Sequence, residues 1–276
     1  MVATYTNLQN SYYTDENGIK HRIAKIVRTF SDLTHNGLGL YEHKNPEQDA
    51  LIVMHDPTQG YWFLGASGVT YDDVYYDENG NAIDIQKGTG WLAATSLNAL
   101  YSNGQFSKSG DPFHVEKAIP LSNEEKAYSL IGSSIKVHND GSLYADQTND
   151  TVAQLKNMVS DPQSITTAPF EWDDPSSPNR YYGAGLISLN GTHHKIRIES
   201  TGRPDRLING QPLADTEFVW FAPSTVIPQT PTPRTEVHYH YDVTTNRQKT
   251  RRCKLYSILR KYDDKLLNQS TSSACI

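Results

Sequence analysis

Leu186-Ile187-Ser188-Leu189-Asn190-Gly191-Thr192-His193-His194-Lys195-Ile196-Arg197-Ile198-Glu199 holds the clearest fold signal in the chain. Over 194–199 isoleucines alternate with charged residues, the period-two pattern of a half-buried strand. The apolar run 186–189 precedes it, and Asn190-Gly191 between the two favours the positive-φ turn of a β-hairpin. Asp140-Gly141, between 135–138 and 143–145, and Asn79-Gly80, between 74–76 and 82–85, repeat the theme. Tyrosine, at 17 residues against seven Phe, suits pleated surfaces on which a hydroxyl reaches a polar partner. The pattern predicts a mostly β protein of short strands and tight turns.

Helix signals are few. Ser122-Asn123-Glu124-Glu125 offers a capping box before Lys126-Ala127-Tyr128, and Asp150 or Thr151 offers an N-cap for a short turn carrying Val152, Leu155 and Val159. Trp91-Leu92-Ala93-Ala94-Thr95-Ser96-Leu97-Asn98 fits a buried strand and an apolar helix about equally. No apolar run reaches the ~18 residues of a membrane span. The opening Met1-Val2-Ala3-Thr4-Tyr5 lacks the basic-then-apolar order of a secretory signal.

The charge is uneven. Residues 246–276 hold eight Lys/Arg and two Asp/Glu, which leaves 17 basic and 29 acidic residues over the first 245, a net of −12. Such a body repels DNA on average, so nucleic acid is a disfavoured partner that would need a local basic groove. Both cysteines, Cys253 and Cys275, lie in the basic tail. A cysteine-free body is at odds with thiol-nucleophile, zinc-cluster and disulfide-scaffold readings. Pro223, Pro228, Pro231 and Pro233 mark an extended linker. The expected organisation is a domain over 1–227, a linker over 228–236, and over 237–276 the strand-like, truncated start of a following domain with a basic tail.

The common catalytic and nucleotide-binding motifs are missing. Gly65-Ala66-Ser67-Gly68 is one residue short of a nucleophile elbow and reads as a strand-end turn. In a strand, His238 and His240 would share a face as two metal ligands without a third, whereas His193 and His194 would point to opposite faces. Asp77-Glu78-Asn79-Gly80-Asn81-Ala82-Ile83-Asp84 offers closely spaced oxygens around a glycine but falls short of a twelve-residue calcium loop, and a hairpin turn explains it more simply.

Phe170-Glu171-Trp172-Asp173-Asp174-Pro175-Ser176-Ser177-Pro178-Asn179-Arg180-Tyr181-Tyr182-Gly183-Ala184-Gly185 carries the most chemical information. Sugar recognition needs this mixture: aromatic rings for the apolar sugar face, carboxylates and amides for the hydroxyls. The expected ligand contacts are stacking by Trp172 and Tyr182, with hydroxyl bonding or cation ligation by Asp173, Asp174 and Asn179. A divalent cation such as calcium would be structural, its ligands undetermined. The same composition also describes an Ω-type loop whose Trp fills the core and whose Asp residues cap turns. Were Glu171 and Asp173 an acid–nucleophile pair on one strand, they would stand about 7 Å apart, wider than a retaining glycosidase favours.

Several of these stretches resemble the variable region of streptococcal antigen I/II adhesins, a fold family that includes glucan-binding protein C. They are Tyr5-Thr6-Asn7-Leu8-Gln9-Asn10-Ser11-Tyr12-Tyr13, Ile23-Ala24-Lys25-Ile26-Val27, and Ser133-Ser134-Ile135 leading to Gly141-Ser142-Leu143-Tyr144-Ala145. Trp172-Asp173-Asp174 followed by Pro178-Asn179-Arg180-Tyr181-Tyr182-Gly183-Ala184-Gly185 is the most specific match, and the proline linker before His238-Tyr239-His240-Tyr241 is similar to the family's exit into its next domain. The likeness spans about residues 3–243. It implies a lectin-like antiparallel β-sandwich with long loops and a few short helices building a cleft. It also implies a non-enzymatic, wall-anchored surface adhesin of Gram-positive cocci, of which enterococcal aggregation substance carries a similar domain. Its implied partners are glucans, host glycoproteins and cell-wall polymers, with lipoteichoic acid and DNA in the aggregation proteins, and some members hold a metal near the cleft. Ile227-Pro228-Gln229-Thr230-Pro231 is no sortase anchor, and the tail after about Thr245 departs from the family. The expectation is a piece of a longer surface protein, its tail set by truncation or a shifted frame.

Overall fold

A computed structural model describes residues 1–9, 11–34, 50–64, 66–101, 110, 112–122, 124–150, 170–174, 176–201, 207–208, 211–212, 218–224, 239–241 and 255–257. Its first strands are β1 Val2–Tyr5, β2 Tyr12–Thr14, β3 Lys20–Arg22, β4 Lys25–Thr34, β5 Ala50–Val53, β6 Tyr61–Leu64 and β7 Gly68–Tyr76. Next come β8 Ile85–Ala94, β9 Ala99–Tyr101, β10 Pro112–Pro120, β11 Lys126–Ser129, β12 Ile135–Val137 and β13 Leu143–Ala145. The last are β14 Gly185–Gly191, β15 His194–Thr201, β16 Leu207–Ile208, β17 Gln211–Pro212, β18 Phe218–Phe221, β19 Pro223–Ser224, β20 Tyr239–Tyr241 and β21 Leu255–Ser257.

Two antiparallel sheets dominate. The larger runs β1-β4-β7-β15-β10-β13-β12 with β9 on β10, and the smaller runs β11-β14-β8-β19. A three-stranded sheet, β18-β6-β5, adds Tyr61, Phe63, Val219 and Phe221 to the core. The core gathers Val69, Tyr71 and Tyr75 of β7, Ile196 and Ile198 of β15, Leu92 and Ala94 of β8, and Ile187 and Leu189 of β14. Alternate residues of each strand thus face inward, the arrangement of a mostly β sandwich. Helical structure among the described residues is limited to the 3-10 turns Pro57–Gln59 and Arg180–Gly183. None of it is long and apolar enough to cross a membrane.

The Asn190-Gly191 turn is not a hairpin. Gly191 takes φ +85°, but β14 pairs with β11 and β8 while β15 pairs with β7 and β10. The turn carries the chain from one sheet to the other, because Ile187 and Leu189 bury themselves across the core from Ile196 and Ile198 rather than beside them. Asp140-Gly141 does close a hairpin, β12–β13. At Asn79-Gly80 a bridge between Tyr76 and Ala82 closes the turn before β8 leaves for the second sheet. Asp77 Oδ1 is engaged there by the N–H groups of Asn79 and Asn81, at 2.9 and 2.8 Å.

The expected capping-box helix is instead the edge strand β11. Lys126–Ser129 pairs with β14, and Glu125 turns inward to meet His194 Nδ1 at 2.8 Å. Across the sheet, exposed His193 bonds Asp72 while His194 is buried, so the neighbours do face opposite sides. Ser67 sits at the start of β7 with its hydroxyl on Thr34 O, as a strand-end turn requires. Of the ambiguous 91–98 run, 91–94 is the end of strand β8, and 95–98 connects it to β9. The expected turn over 151–159, and His238, lie outside the described residues.

By compactness the chain divides into Met1–Pro231 and Thr232–Ile276. The second unit shows one antiparallel pair, β20–β21.

Candidate ligand-binding site

Residues 170–174 and 176–184 belong to a loop that ends in the 3-10 turn before β14. Its anchor is Trp172. The indole is 1% exposed, and its Nε1–H donates to Asn149 O. Gly183 gives it room, since a Cβ at that position would lie 1.8 Å from Trp172 Cζ3. The expected stacking of Trp172 on a ligand is therefore corrected: it is a core plug, because its large apolar ring gains most by leaving water and its one polar atom finds a carbonyl inside.

Asn149, fully buried, ties the neighbouring segments together. Its Oδ1 accepts from Ala99 N–H at 2.7 Å, and its Nδ2 donates to Leu97 O and Ser134 Oγ, both at 2.9 Å. Ser133 and Ser134 clamp the 3-10 turn. Their hydroxyls donate to Tyr182 O at 3.0 and 2.6 Å, and Ser133 Oγ reaches Ala184 O at 2.7 Å. A pair of small hydroxyl residues thus satisfies carbonyls that no strand partner reaches.

Over this buried base the remaining residues reach solvent. Tyr182, half-buried, meets Phe170 edge-on at 5.0 Å and stands 6.4 Å from the Trp172 ring. Asp173, half-buried, accepts from Asn98 Nδ2 at 3.1 Å. Asp174 is exposed and caps its own turn, taking Ser176 N–H at 2.7 Å and Ser176 Oγ–H at 2.6 Å; the Ser176 bonds hold its carboxyl below the usual range. Asn179 precedes the 3-10 turn without capping it through its side chain, and its N–H donates to Ser177 Oγ at 3.0 Å. The loop thus carries the tryptophan plug and the aspartate turn cap of the Ω-type reading, with Phe170, Asp173 and Tyr182 half-buried on the same loop.

Sequence reasoning missed Asn98, Asn149 and Glu116. Glu116, on the core-facing side of β10, accepts from Asn98 N–H at 2.8 Å, next to Asp173. Burial pushes its carboxyl well above the usual range; the Asn98 bond opposes this and the Asp173 charge adds to it. An inward carboxylate on an alternating strand has no signature of its own. Glu171 is exposed on the loop rather than on a strand, so the strand spacing expected for a Glu171–Asp173 pair does not apply. Among the described residues no three His, Cys, Asp or Glu side chains group so as to hold a metal ion.

The polar–aromatic loop belongs to a two-sheet antiparallel sandwich. The model of the family glucan-binding protein C matches residues 1–224, and the chain belongs to that family. It is similar in fold to the glucan binding protein C of Streptococcus mutans, at 21% identity and a TM-score of 0.52, over 85% of this chain. The chain spans 63% of that protein's chain, which is described as mediating both sucrose-independent and sucrose-dependent adherence. The adhesin domain of PrgB from Enterococcus faecalis is similar both bound to DNA and alone, at 18% identity in each case. The TM-scores are 0.52 and 0.51, over 81% of this chain and 70% and 66% of those chains.

Proposed function

We propose that this chain is the ligand-binding part of a cell-surface adhesin, non-catalytic, which holds carbohydrate, glycoprotein or cell-wall glycopolymer at the 170–184 loop. The observation that carries the reading is the loop's construction: Tyr182 and Phe170, in edge-on contact, and Asp173 are half-buried on one loop, over a base fixed by buried Trp172 and Asn149. Tyr182 supplies the apolar contact, and Asp173 and Asn179 the hydroxyl contacts. Asp174 contributes a solvent-facing carboxylate oxygen, its Oδ1 being engaged by Ser176. Sugar hydroxyls exchange water for protein at small net gain, so single sites are weak and a cell surface multiplies them.

A second reading is a polymer clamp for DNA, favoured by the similarity to a DNA-bound adhesin domain and opposed by the net charge of −12 over residues 1–245. A glycan, teichoic-acid and DNA array, run with and without chelator, separates these readings. Retention on glucans or teichoic acids that is lost with Asp173→Ala supports the first. Retention on DNA alone, falling steeply with salt, replaces it with the second.

A further inference from the structure

Below the loop, two carboxylates share one side-chain amide. Asn98 Nδ2 donates to Asp173 Oδ2 at 3.1 Å, to Glu116 Oε2 at 3.4 Å and to Ser96 O at 3.3 Å, so two protons face three acceptors. The chain of contacts continues inward. Glu116 Oε1 meets His114 Nε2 at 3.1 Å, and His114 Nδ1 meets Ser200 Oγ at 3.0 Å. Ser200, His114 and Glu116 have the spacing of a hydrolase relay, yet they are 4%, 4% and 5% exposed on the core-facing side of β10 and β15. A substrate carbonyl has no approach to Ser200 Oγ. The end of the chain that meets solvent is Asp173.

We propose that Glu116 is a positioning residue for the ligand site: acting through Asn98, it fixes the Asp173 carboxylate in place for a ligand, and it couples ligand capture to uptake of one proton inside the sandwich. This rests on the reading of Asp173 as a ligand contact.

The two protonation states differ in how the donors are spent. Protonated, Glu116 donates its O–H to His114 Nε2, His114 Nδ1–H donates to Ser200 Oγ, and the Asn98 amide is left to hold Asp173. Ionised, Glu116 competes for that amide and sets a second negative charge beside Asp173. Among the described residues, the titratable groups facing Glu116 are His114 on its own strand and Asp173 on the loop; β15 and the 96–98 segment present neutral Ser200, Ser96 and Asn98. The raised carboxyl of Glu116 places this proton exchange above the ordinary range for Glu.

The test measures dextran affinity of the full chain by calorimetry, and amide hydrogen exchange of 170–174, each at pH 5 and pH 8, for wild type and Glu116→Gln. In wild type, affinity and exchange protection both rise on going to pH 5, by roughly tenfold for one pKa unit of coupling. Glu116→Gln, a permanent neutral donor, shows the pH 5 values at both pH values. A wild type without the exchange response, or a Glu116→Gln chain that keeps it, overturns the proposal. Should dextran bind neither protein, the ligand reading fails for that glucan, and the exchange data still decide the role of Glu116. Should Glu116→Gln not fold, carboxyl NMR of wild type decides: the Glu116 titration and the shift of the Asp173 amide resonance share a midpoint, and separate midpoints overturn the proposal.

Discussion

The indole of Trp172 lies so close to the backbone of Gly183 that one added methyl group would occupy its ring: a Cβ there would stand 1.8 Å from Cζ3 and 2.3 Å from Cη2. Gly183→Ala therefore forces the plug out of its seat. Overpacking of this kind costs about 1–3 kcal/mol, and a lower unfolding midpoint in urea measures it. Trp172→Ala empties the seat and costs ~3–5 kcal/mol, so loss of ligand binding in that variant reports unfolding of the loop's base rather than a lost contact.

The serine clamp acts on the same loop from the other side. Ser134→Ala leaves Tyr182 O with the Ser134 N–H and the Ser133 hydroxyl, and leaves buried Asn149 Nδ2 with Leu97 O, so its expected cost is about 1–2 kcal/mol. Ser133→Ala removes the hydroxyl that Tyr182 O and Ala184 O share and strands the buried Ile135 N–H that donates to it, and it costs more. Thermal melts of the two variants rank them, and the opposite order contradicts the assignment.

Arg28 and Asp73 form a two-bond ion pair between β4 and β7, at 2.7 Å for each bond, with both side chains buried. Arg28→Met strands the Asp73 charge and costs about 3–5 kcal/mol, whereas Arg28→Met with Asp73→Leu recovers most of that loss. Urea unfolding of the single and double variants checks this. A double variant no better than the single one would show that the pair contributes through more than its charge balance.

Stability should fall as the solution becomes alkaline. Burial raises the carboxyls of Glu116 and Glu125, so the folded chain holds these protons more tightly than the unfolded one. Their contribution is complete below the unfolded value of about 4.3 and is lost as pH rises through the folded values. Asp140 and Asp174, depressed by Ser142 and Ser176, act oppositely: their contribution is present above about 3.9 and is lost as pH falls through the depressed folded values. Urea midpoints at pH 4 to 8 should slope downward, and Glu116→Gln should flatten the slope. An unchanged slope would place the buried proton elsewhere.

Much of the fold was legible because strand alternation is local. Ile196 and Ile198 face inward as their spacing requires, and Asp140-Gly141 closes its hairpin. The turn at Asn190-Gly191 was legible as a turn but not as a crossover: a positive-φ glycine serves a paired and a splayed strand equally, and the choice rests on packing between distant segments. The site divides the same way. The loop's composition offered Trp172 both as a ligand contact and as a core plug but could not say which way it points, since that depends on the space left by Gly183 and the carbonyl of Asn149. Glu116 was invisible because a polar residue on an inward strand face looks like one on an outward face, and Asn98, in the 95–98 connection, follows no pattern until its partners are known.

The account depends on the loop rim being where a partner molecule docks. Calorimetric titration of dextran into the full chain, with Asp173→Ala and Tyr182→Ala in one variant that melts as wild type does, tests it most directly. Binding by wild type and its loss in the variant is the predicted result. Equal binding by both would contradict the assignment of the site.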